Sequence, residues 1–525
     1  MNKEQILWAD DEIDLLKPHI LFLQNKGYEV TTVTNGRDAL DAISQQNFHL
    51  IILDENMPGI SGLEALQQIK IAQPNVPVIM ITKSEEENIM NQAIGSEIAD
   101  YLIKPVNPMQ ILLSIKKNLH SEALVAQKAT SDYQQEFMSI SQQIAMARTI
   151  DDWYQLYNTL VRWELTLSNA ETGMADMLRM QKQEANSAFA KMVKRNYEKW
   201  VTTDDHPLMS NEIFKTQIFP HIDAGEKVCF IVIDNFRLDQ WRTISPLLND
   251  YFNIEKEELY TTILPTATQY ARNAIFSGLM PIDIERMFPE LWVDEDEDEG
   301  KNLNEAPLIQ TILDRYRRKC KFSYNKLNDS AAGERLVQHF AQLKNFDLNV
   351  IVFNFVDILS HARTESKMIR ELAYTDEAYR SLTVTWFKNS YVLEIFKRIA
   401  EQGWKIVLTT DHGTTRVDNA IKVIGDKNTN TNLRYKVGKN LSYNPRQVYE
   451  IKQPKRFGLP LLNVSSTYIF ASGRDFFAYP NNYNHYVQYY NDTFQHGGIS
   501  MEEMLVPLIT LTPKNNPYKK LEIRG

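Results

Sequence analysis

The sequence has few cysteines and no long hydrophobic run. Two cysteines, Cys229 and Cys320, occur in 525 residues, and they are far apart in the chain. No charged-then-apolar leader follows Met1, and no apolar run reaches the length that spans a membrane. These absences argue against a disulfide-stabilised secreted protein and against a membrane protein. They indicate a soluble protein of the reducing cytoplasm.

Positive charge is also scarce. The formal net charge is −10 at pH 7, whereas non-specific binding to duplex DNA needs a basic surface. We therefore expect no direct binding to duplex DNA. A chain of 525 residues is too long for one ordinary core, and its hydrophobic content of 43% is enough to bury two or three cores.

The first 120 residues alternate short apolar runs with amphipathic stretches of helical period. Short buried strands that alternate with helices predict a parallel, doubly wound α/β sheet of five strands. In such a sheet the ligand site lies at the carboxyl ends of the strands. The five runs are residues 6–9, 28–33, 49–54, 76–82 and 98–103.

The rest of the chain has two further parts. Residues 121–205 contain one glycine and no proline and have helical periodicity, which predicts a helical bundle linker of three helices. Strand-like runs return in residues 206–525, which predicts a second, larger α/β domain. These runs are residues 228–234, 348–357, 405–411, 466–471 and 504–511.

Five polar residues follow strands of the first sheet and should meet at one edge. Asp10 and Asp11 follow the first strand, and Asp54 ends the third. Thr82 ends the fourth strand, and Lys104 follows the fifth. Crowded carboxylates need a hard dication such as Mg2+, which keeps positions for water and phosphate oxygens. The lysine and the hydroxyl could then meet phosphoryl oxygens on a nucleophilic aspartate.

These residues and the DENMPG turn at 54–59 resemble the receiver domain of two-component response regulators over residues 1–120. The resemblance implies a flavodoxin-like fold. It implies that Asp54 accepts a phosphoryl group from a sensor histidine kinase. It also implies that Asp10, Asp11 and Asp54 hold Mg2+.

The same resemblance implies a switch formed by Thr82, Tyr101 and Lys104. Phosphorylation adds a dianion, which would draw in the hydroxyl of Thr82 and turn Tyr101 inward. The surface around the last strands would then change. Receivers commonly pair, so we expect phosphorylation to promote a homodimer.

The larger α/β domain shows the same pattern with a different ligand chemistry. Six carboxylate or imidazole side chains follow its predicted strands or lie in nearby loops. Three aspartates and three histidines suit a borderline metal such as Zn2+ or Mn2+, and six ligands exceed one tetrahedral site. Two ions, about 3.5–4 Å apart where they bridge a phosphate, would use all six ligands. The residues are Asp234, Asp357, His361, Asp411, His412 and His496.

A nucleophile is expected in the segment LPTATQYARNAIFSGLMP, residues 264–281. Pro265 and Thr266 precede a predicted helix that stops at Gly278, so Thr268 lies in its first turn. A hydroxyl there gains from the positive end of the helix dipole, and a metal ion could deprotonate it. A plain helix cap is the alternative for this threonine.

Two further features bear on the substrate. Arg272 follows Thr268 by four residues, so on a helix both face the same way and Arg272 could hold a phosphoryl oxygen. A surface arginine is the alternative. Residues 427–456 carry eight Lys or Arg and a single Glu, with tyrosines interleaved. Such an insertion suits a nucleic-acid chain through charge and base stacking, and a solvated loop is the alternative.

The order of these residues resembles the alkaline phosphatase superfamily over most of residues 225–510. The LPTxT…FSGLMP segment is similar to the nucleotide pyrophosphatase/phosphodiesterase version of its nucleophile turn. The resemblance implies that the Thr268 alkoxide attacks phosphorus and that water hydrolyses the phosphothreonine. It implies that one Zn2+ is bound by Asp234, Thr268, Asp411 and His412, and the other by Asp357, His361 and His496.

The three parts together resemble response regulators of the type IX secretion system, whose output belongs to the PglZ branch of that superfamily. The resemblance implies a phosphodiesterase that acts on oligonucleotides or cyclic nucleotides and that regulates secretion through other regulatory or secretion-system proteins. An alternative is a regulator that acts by protein–protein binding, with metals that only keep its output domain folded. A phosphomonoesterase or a sulfatase is a further alternative, although a sulfatase would use cysteine or serine where this chain has Thr268.

Overall fold

The chain divides into two compact units, Met1–Asp132 and Tyr133–Gly525. The computed structural model describes residues 3–83, 87–168, 172–294, 302–373, 375–426 and 428–514. No helix within these ranges is both long enough and apolar enough to cross a bilayer.

The first unit is a five-stranded parallel sheet with helices on both faces. In chain order its elements are β1 (Gln5–Ala9), α1 (Lys17–Asn25), β2 (Glu29–Val33), α2 (Gly36–Gln45), β3 (Leu50–Asp54), α3 (Gly62–Ala72), β4 (Val78–Thr82), α4 (Glu87–Gly95), β5 (Asp100–Ile103) and the start of α5 (Pro108–Met146). Neighbouring strands are parallel in the order β2-β1-β3-β4-β5. The flavodoxin-like fold predicted from the sequence is confirmed.

Side chains on the central strands alternate between the two faces of this sheet. On β1, Leu7 and Ala9 pack with helices α2 and α3, whereas Ile6 and Trp8 pack with α1 and α5. Because helices cover both faces, the central strands are apolar along their length. Their first polar residues therefore come at the carboxyl ends, where all five strands reach the same edge.

The second unit opens with three helices, as predicted. They are the remainder of α5, α6 (Ile150–Thr166) and α7 (Thr172–Thr202). The hydroxyl of Tyr133 on α5 donates a hydrogen bond to Gln181 on α7 at 3.0 Å. The rings of Trp153 on α6 and Phe189 on α7 lie 5.5 Å apart. The three helices thus pack together through buried aromatic side chains.

The output part of the second unit is built on a six-stranded mixed sheet, which confirms the predicted α/β domain. Its elements are α8 (Phe219–Asp223), β6 (Val228–Ile233), α9 (Leu238–Ile244), β7 (Phe252–Thr261), α10 (Thr268–Ser277), α11 (Pro281–Met287), α12 (Glu305–Arg315), β8 (Phe322–Leu327), α13 (Ser330–Gln338), β9 (Leu348–Phe353), α14 (Phe355–Glu365), α15 (Lys367–Leu372), α16 (Asp376–Asn389), α17 (Tyr391–Glu401), β10 (Lys405–Thr409), β11 (Thr415–Val417), β12 (Asn419–Lys422), β13 (Tyr435–Gly438), β14 (Tyr449–Ile451), β15 (Thr467–Phe470), β16 (Asp475–Ala478), α18 (Tyr483–Tyr490), β17 (Thr493–Gln495), α19 (Met501–Met504) and β18 (Leu505–Pro513). The main sheet has the order β7-β18-β10-β6-β9-β8. Strands β8, β9, β6 and β10 are parallel, and β18 is antiparallel to both of its neighbours.

One strand prediction differs from the structure, and another strand joins a separate sheet. The run 348–357 was expected to be one strand, but β9 stops at Phe353 and α14 begins at Phe355. Asp357 therefore lies in the first turn of a helix. The run 466–471 forms β15, which pairs with β13 and β14 in a separate three-stranded sheet. Both runs are apolar, and apolar character does not by itself specify where a strand ends or which sheet it joins.

Residues 428–456 of the basic insertion are a folded part of the output domain, and residue 427 lies outside the described residues. Arg434 and Lys436 are 0% and 1% exposed. Arg434 donates two hydrogen bonds to the buried carboxylate of Glu503, at 3.0 and 2.6 Å. Tyr435 is also buried. These side chains stabilise the fold, and the structure does not support a role for them in stacking or charge contacts with a nucleic-acid chain.

We predict that Arg434→Met lowers the free energy of unfolding of the second unit by about 3–5 kcal/mol, because it leaves the Glu503 carboxylate buried without its partner. Arg446→Met, at an exposed position of the same insertion, should change it by no more than about 0.5 kcal/mol. Denaturant titration of the full chain measures both values. Equal stability of the two variants would contradict the structural role of Arg434.

Candidate functional site

Three carboxylates meet at the carboxyl edge of the receiver sheet. Asp10 follows β1, Asp54 ends β3, and Asp11 is next to Asp10. Each offers an oxygen within 4.8 Å of the others. The ammonium group of Lys104 lies 2.9 Å from Asp10 Oδ2 and 2.9 Å from Asp54 Oδ2. Carboxylate oxygens in this number suit a hard dication such as Mg2+.

The two other predicted switch residues lie on the neighbouring strands. Thr82 ends β4 and is buried. Tyr101 lies on β5, where its partly buried ring packs against the core cluster that contains Met80 and Ala93. Both residues are therefore on strands that reach the edge occupied by Asp54.

The carboxyl group of Asp54 is buried. Burial raises the pKa of its carboxyl group above the ordinary value, and the hydrogen bond from Lys104 only partly opposes this effect. Its Oδ1 is buried and accepts no hydrogen bond from the residues that the structure describes. Lys104 thus holds one carboxylate oxygen of Asp54 and not the other.

We predict that Asp54→Asn increases the stability of the receiver in magnesium-free buffer at pH 7. The pKa of Asp54 is higher in the folded than in the unfolded state. The ionised carboxylate therefore destabilises the fold, and this cost grows as pH rises from the unfolded-state pKa to the folded-state pKa. The gain should therefore shrink as pH falls from 7 to 3.5. Urea unfolding of the full chain at both pH values measures it. Asp14→Asn, at an exposed carboxylate, is the control, and a gain as large at pH 3.5 as at pH 7 would contradict the prediction.

In the output domain, one set of metal-capable side chains lies at the ends of β6 and β10. Asp234 follows β6, and Asp411 and His412 follow β10. The three residues offer ligand atoms within 4.8 Å of one another. Thr268, the first residue of α10, joins this set: its Oγ1 lies 3.1 Å from His412 Nε2 and 3.4 Å from Asp234 Oδ1. We call this group set A.

A second set combines one helix with one loop. Asp357 and His361 are one turn apart on α14, and His496 follows β17. Their ligand atoms also lie within 4.8 Å of one another. His361 is the accessible member, since 59% of its side chain is exposed. We call this group set B.

The two sets are in direct contact. The rings of His412 in set A and His496 in set B stack with their centroids 4.1 Å apart. Asn235 also joins them: its side chain donates to Asp357 Oδ1 at 3.3 Å, and its backbone N–H donates to Asp411 Oδ1 at 3.4 Å. Sets A and B are therefore parts of one site.

Sequence reasoning missed Asn235. The residue has φ 61°, in the left-handed region that asparagine tolerates better than most residues. An asparagine directly after a strand-ending aspartate was the available signal.

Backbone carbonyls fix the orientation of two histidine rings. Nδ1 of His412 lies 3.0 Å from the carbonyl oxygen of Gly413, and Nδ1 of His496 lies 3.0 Å from that of Thr266. A carbonyl can only accept, so Nδ1 of each ring carries a proton and donates it to that carbonyl. Nε2 of His412 lies 3.7 Å from Asp234 Oδ1, and Nε2 of His496 lies 3.7 Å from Asp357 Oδ1. Burial and the neighbouring His412 lower the pKa of His496 to about 3, so its ring is neutral at pH 7. The donor set therefore fits a borderline metal such as Zn2+.

Arg272 does not have the place expected for a contact with a phosphoryl oxygen. It lies on α10, and its side chain is 0% exposed. Its guanidinium forms ion pairs with Asp234, with Asp411 and with Glu305. Because three carboxylates already surround it below the site, Arg272 is not available to a substrate. The helical spacing was correct, but it does not distinguish an inward from an outward direction.

His485 lies outside both sets. It is on α18, where its ring stacks on Tyr489 with centroids 6.1 Å apart. It belongs to none of the metal-capable groups found among the described residues.

The fold and the sites define a response regulator with an alkaline phosphatase-like output domain. Residues 6–116 match the family model of the response regulator receiver domain, residues 123–201 that of the PorX response regulator linker domain, and residues 213–511 that of the BREX system PglZ alkaline phosphatase-like domain. The last match covers more than half of the chain, and the chain belongs to the PglZ family. Its receiver, linker and PglZ domains follow one another in the order of PorX.

The curated relatives are response regulators. Transcriptional regulatory protein ResD of Bacillus subtilis is 32% identical over 115 residues, which are 22% of this chain and 48% of ResD. The uncharacterized transcriptional regulatory protein YkoG of the same organism is 34% identical over 121 residues, which are 23% of this chain and 52% of YkoG. This chain spans about half the length of these relatives. A CheY-like receiver domain from Methanospirillum hungatei JF-1 is 28% identical, with a TM-score of 0.22, and the match covers 23% of this chain and 96% of that structure. A receiver domain implies a sensor kinase as partner.

Proposed function

We propose that the protein is a cytoplasmic response regulator whose phosphorylation on Asp54 by a sensor histidine kinase controls a di-zinc phosphodiesterase in the output domain. The substrates are oligonucleotides or cyclic nucleotides, and the output regulates type IX secretion through other proteins. The single observation that carries the catalytic part is the contact of Thr268 with Asp234 and His412 inside set A.

The residues divide into two metal positions. Set A would hold one zinc ion through Asp234, Thr268, Asp411 and His412. Set B would hold the other through Asp357, His361 and His496. Bound zinc supplies a positive charge that lowers the pKa of a coordinated hydroxyl and neutralises charge on phosphate oxygens.

The protein's own contribution is the placement of the nucleophile. Thr268 begins α10, a helix of ten residues, so its hydroxyl lies at the positive end of the helix dipole, which favours an anionic phosphate. The Thr268 oxygen forms a bond to phosphorus while the bond from phosphorus to the leaving alkoxide breaks. Water then hydrolyses the phosphothreonine and regenerates the hydroxyl. His361 is the exposed member of the proposed ligands, with 59% of its side chain accessible, and we therefore place substrate entry on its side.

The substrate class rests on a resemblance in the nucleophile segment. The LPTAT…FSGLMP stretch is similar to that of nucleotide pyrophosphatase/phosphodiesterases. The buried residues of the basic insertion give this assignment no support. A panel of linear and cyclic nucleotides, with and without phosphorylation, identifies the preferred substrate.

We predict that Thr268→Val lowers hydrolysis of bis-(p-nitrophenyl) phosphate by at least about 1000-fold, since the variant keeps the side-chain shape but has no hydroxyl. Thr268→Ser, which keeps the hydroxyl, is the matched control and should retain most of the activity. Release of nitrophenol by the purified full chain measures the rate. Zinc content and Tm, recorded for both variants, show that the fold is intact.

The outcome separates two functions. A rate for Thr268→Val equal to that of the wild type would refute the threonine nucleophile. If hydrolysis is the output, Thr268→Val also abolishes signalling in cells. Normal signalling by this variant would favour the alternative, a regulator that acts by protein–protein binding.

We also predict that phosphorylation shifts the protein towards a homodimer. An acyl-phosphate mimic with Mg2+ should raise the weight-average mass of the wild type in sedimentation, because a dianion on Asp54 changes the receiver surface. Asp54→Ala should not respond. Identical sedimentation of the wild type with and without the mimic would contradict the prediction.

A further inference from the structure

Arg272 is a buried cation behind set A. It follows Thr268 by one helical turn on α10, but its side chain points into the domain and is 0% exposed. The guanidinium pairs with Asp234 Oδ2, and its Nε donates to Asp411 Oδ2 at 3.1 Å. Asp234 and Asp411 follow neighbouring parallel strands. One arginine therefore holds the two carboxylates of set A together.

The charge of this group explains why a cation is needed there. Asp234 and Asp411 are 3% and 0% exposed. Two carboxylates buried side by side repel each other, and a buried charge without a partner costs several kcal/mol. Arg272 supplies the opposite charge from within the polypeptide. Its planar guanidinium can meet more than one carboxylate, which a lysine ammonium does less well.

Glu305 competes for the same guanidinium. Its Oε1 lies 3.2 Å from an Nη atom of Arg272 and 3.4 Å from Lys326 Nζ, and it also accepts a hydrogen bond from Tyr324. Glu305 fixes Arg272 from the side away from set A. Because the negative charge of Glu305 partly offsets the positive charge of Arg272, Arg272 stabilises Asp234 and Asp411 less than it would alone.

The far side of set A remains available to a metal ion. Asp234 Oδ1 faces Thr268 and His412 rather than Arg272, and lies 3.7 Å from His412 Nε2. A carboxylate that is held through one oxygen keeps the other oxygen for a ligand.

We propose that Arg272 is a positioning residue whose positive charge balances Asp234 and Asp411 in the folded domain when no metal ion is bound. With Arg272 present, the output domain keeps its structure without zinc, so the metal charge is needed for the chemistry of Thr268 and not for folding. Glu305 sets how much of the arginine charge reaches Asp234 and Asp411. The inference rests on the proposed zinc site for its test with metal, but not on hydrolysis.

The experiment compares the Tm of the full chain with saturating Zn2+ and after chelation. In the wild type the second unit should unfold cooperatively in both conditions. The gap, defined as the Tm with Zn2+ minus the Tm after chelation, should be limited. Arg272→Met removes the internal cation, so zinc becomes the main counter-charge of the two carboxylates. The gap should then widen by several degrees or more.

Two further variants show that the effect is specific. Arg380→Met removes another buried arginine, which pairs with Glu164 and Asp239 rather than with set A. It should lower both Tm values and leave the gap unchanged. Glu305→Gln leaves more of the Arg272 charge for Asp234 and Asp411, so the gap should narrow. A general loss of stability would not move the gap in opposite directions for Arg272→Met and Glu305→Gln.

A gap for Arg272→Met that equals or falls below that of the wild type would overturn the proposal. If Arg272→Met does not fold with or without Zn2+, the Tm gap of Glu305→Gln tests the proposal instead. A gap for Glu305→Gln that equals or exceeds that of the wild type would then overturn the proposal. The nitrophenol assay of Thr268→Val tests the phosphodiesterase separately. A wild type whose Tm does not respond to Zn2+ would refute the zinc site itself, whereas a wild type that responds to Zn2+, together with an unchanged gap in Arg272→Met, would refute only the role of Arg272.

Discussion

At each of the two carboxyl edges, one cation with little or no exposure lies between two aspartates. In the receiver, Lys104 lies 2.9 Å from both Asp10 and Asp54. In the output domain, Arg272 pairs with Asp234 and Asp411. Parallel strands bring their carboxyl ends to one edge, so acidic residues placed there are forced into proximity. Without an opposite charge at the same edge, neither arrangement could stay buried.

The three-helix segment contributes to the wall behind the output site. Asn186 on α7 donates to Glu502 at 2.9 Å and accepts from the backbone N–H of Met501 at 2.8 Å. The next residue of α19, Glu503, accepts through its carbonyl from the N–H of Gly413, next to His412. A Cβ on Gly413 would lie 1.8 Å from the carbonyl oxygen of Glu502, so only glycine fits this contact. The linker helices and the loops with metal-capable residues thus share one short helix.

The hydrophobic periodicity of the sequence predicted much of the fold. All five receiver strands were predicted, because helices cover both faces of the sheet and leave short, continuous apolar runs between amphipathic helices. Helix α10 ends at Gly278, which is in the left-handed conformation that a glycine allows. The start of α14 was missed, because Asn354 to Val356 continue the apolar run of β9 and give little sign of a change from strand to helix. The sequence could not predict which strands pair with β15, because its pairing with β13 and β14 depends on contacts between residues far apart in the chain.

The sequence by itself determined which side chains could meet at each edge. A polar residue directly after a buried strand has few other places to go, and this constraint brought together Asp234, Asp411 and His412 of set A. Only the tertiary structure decided the direction of side chains on helices and inserted segments. It turned Arg272 inward onto three carboxylates, and it buried Arg434 against Glu503. The physical reason is that helical spacing and local charge are the same for an inward and an outward arginine, whereas a buried carboxylate far away in the sequence makes the inward position the stable one.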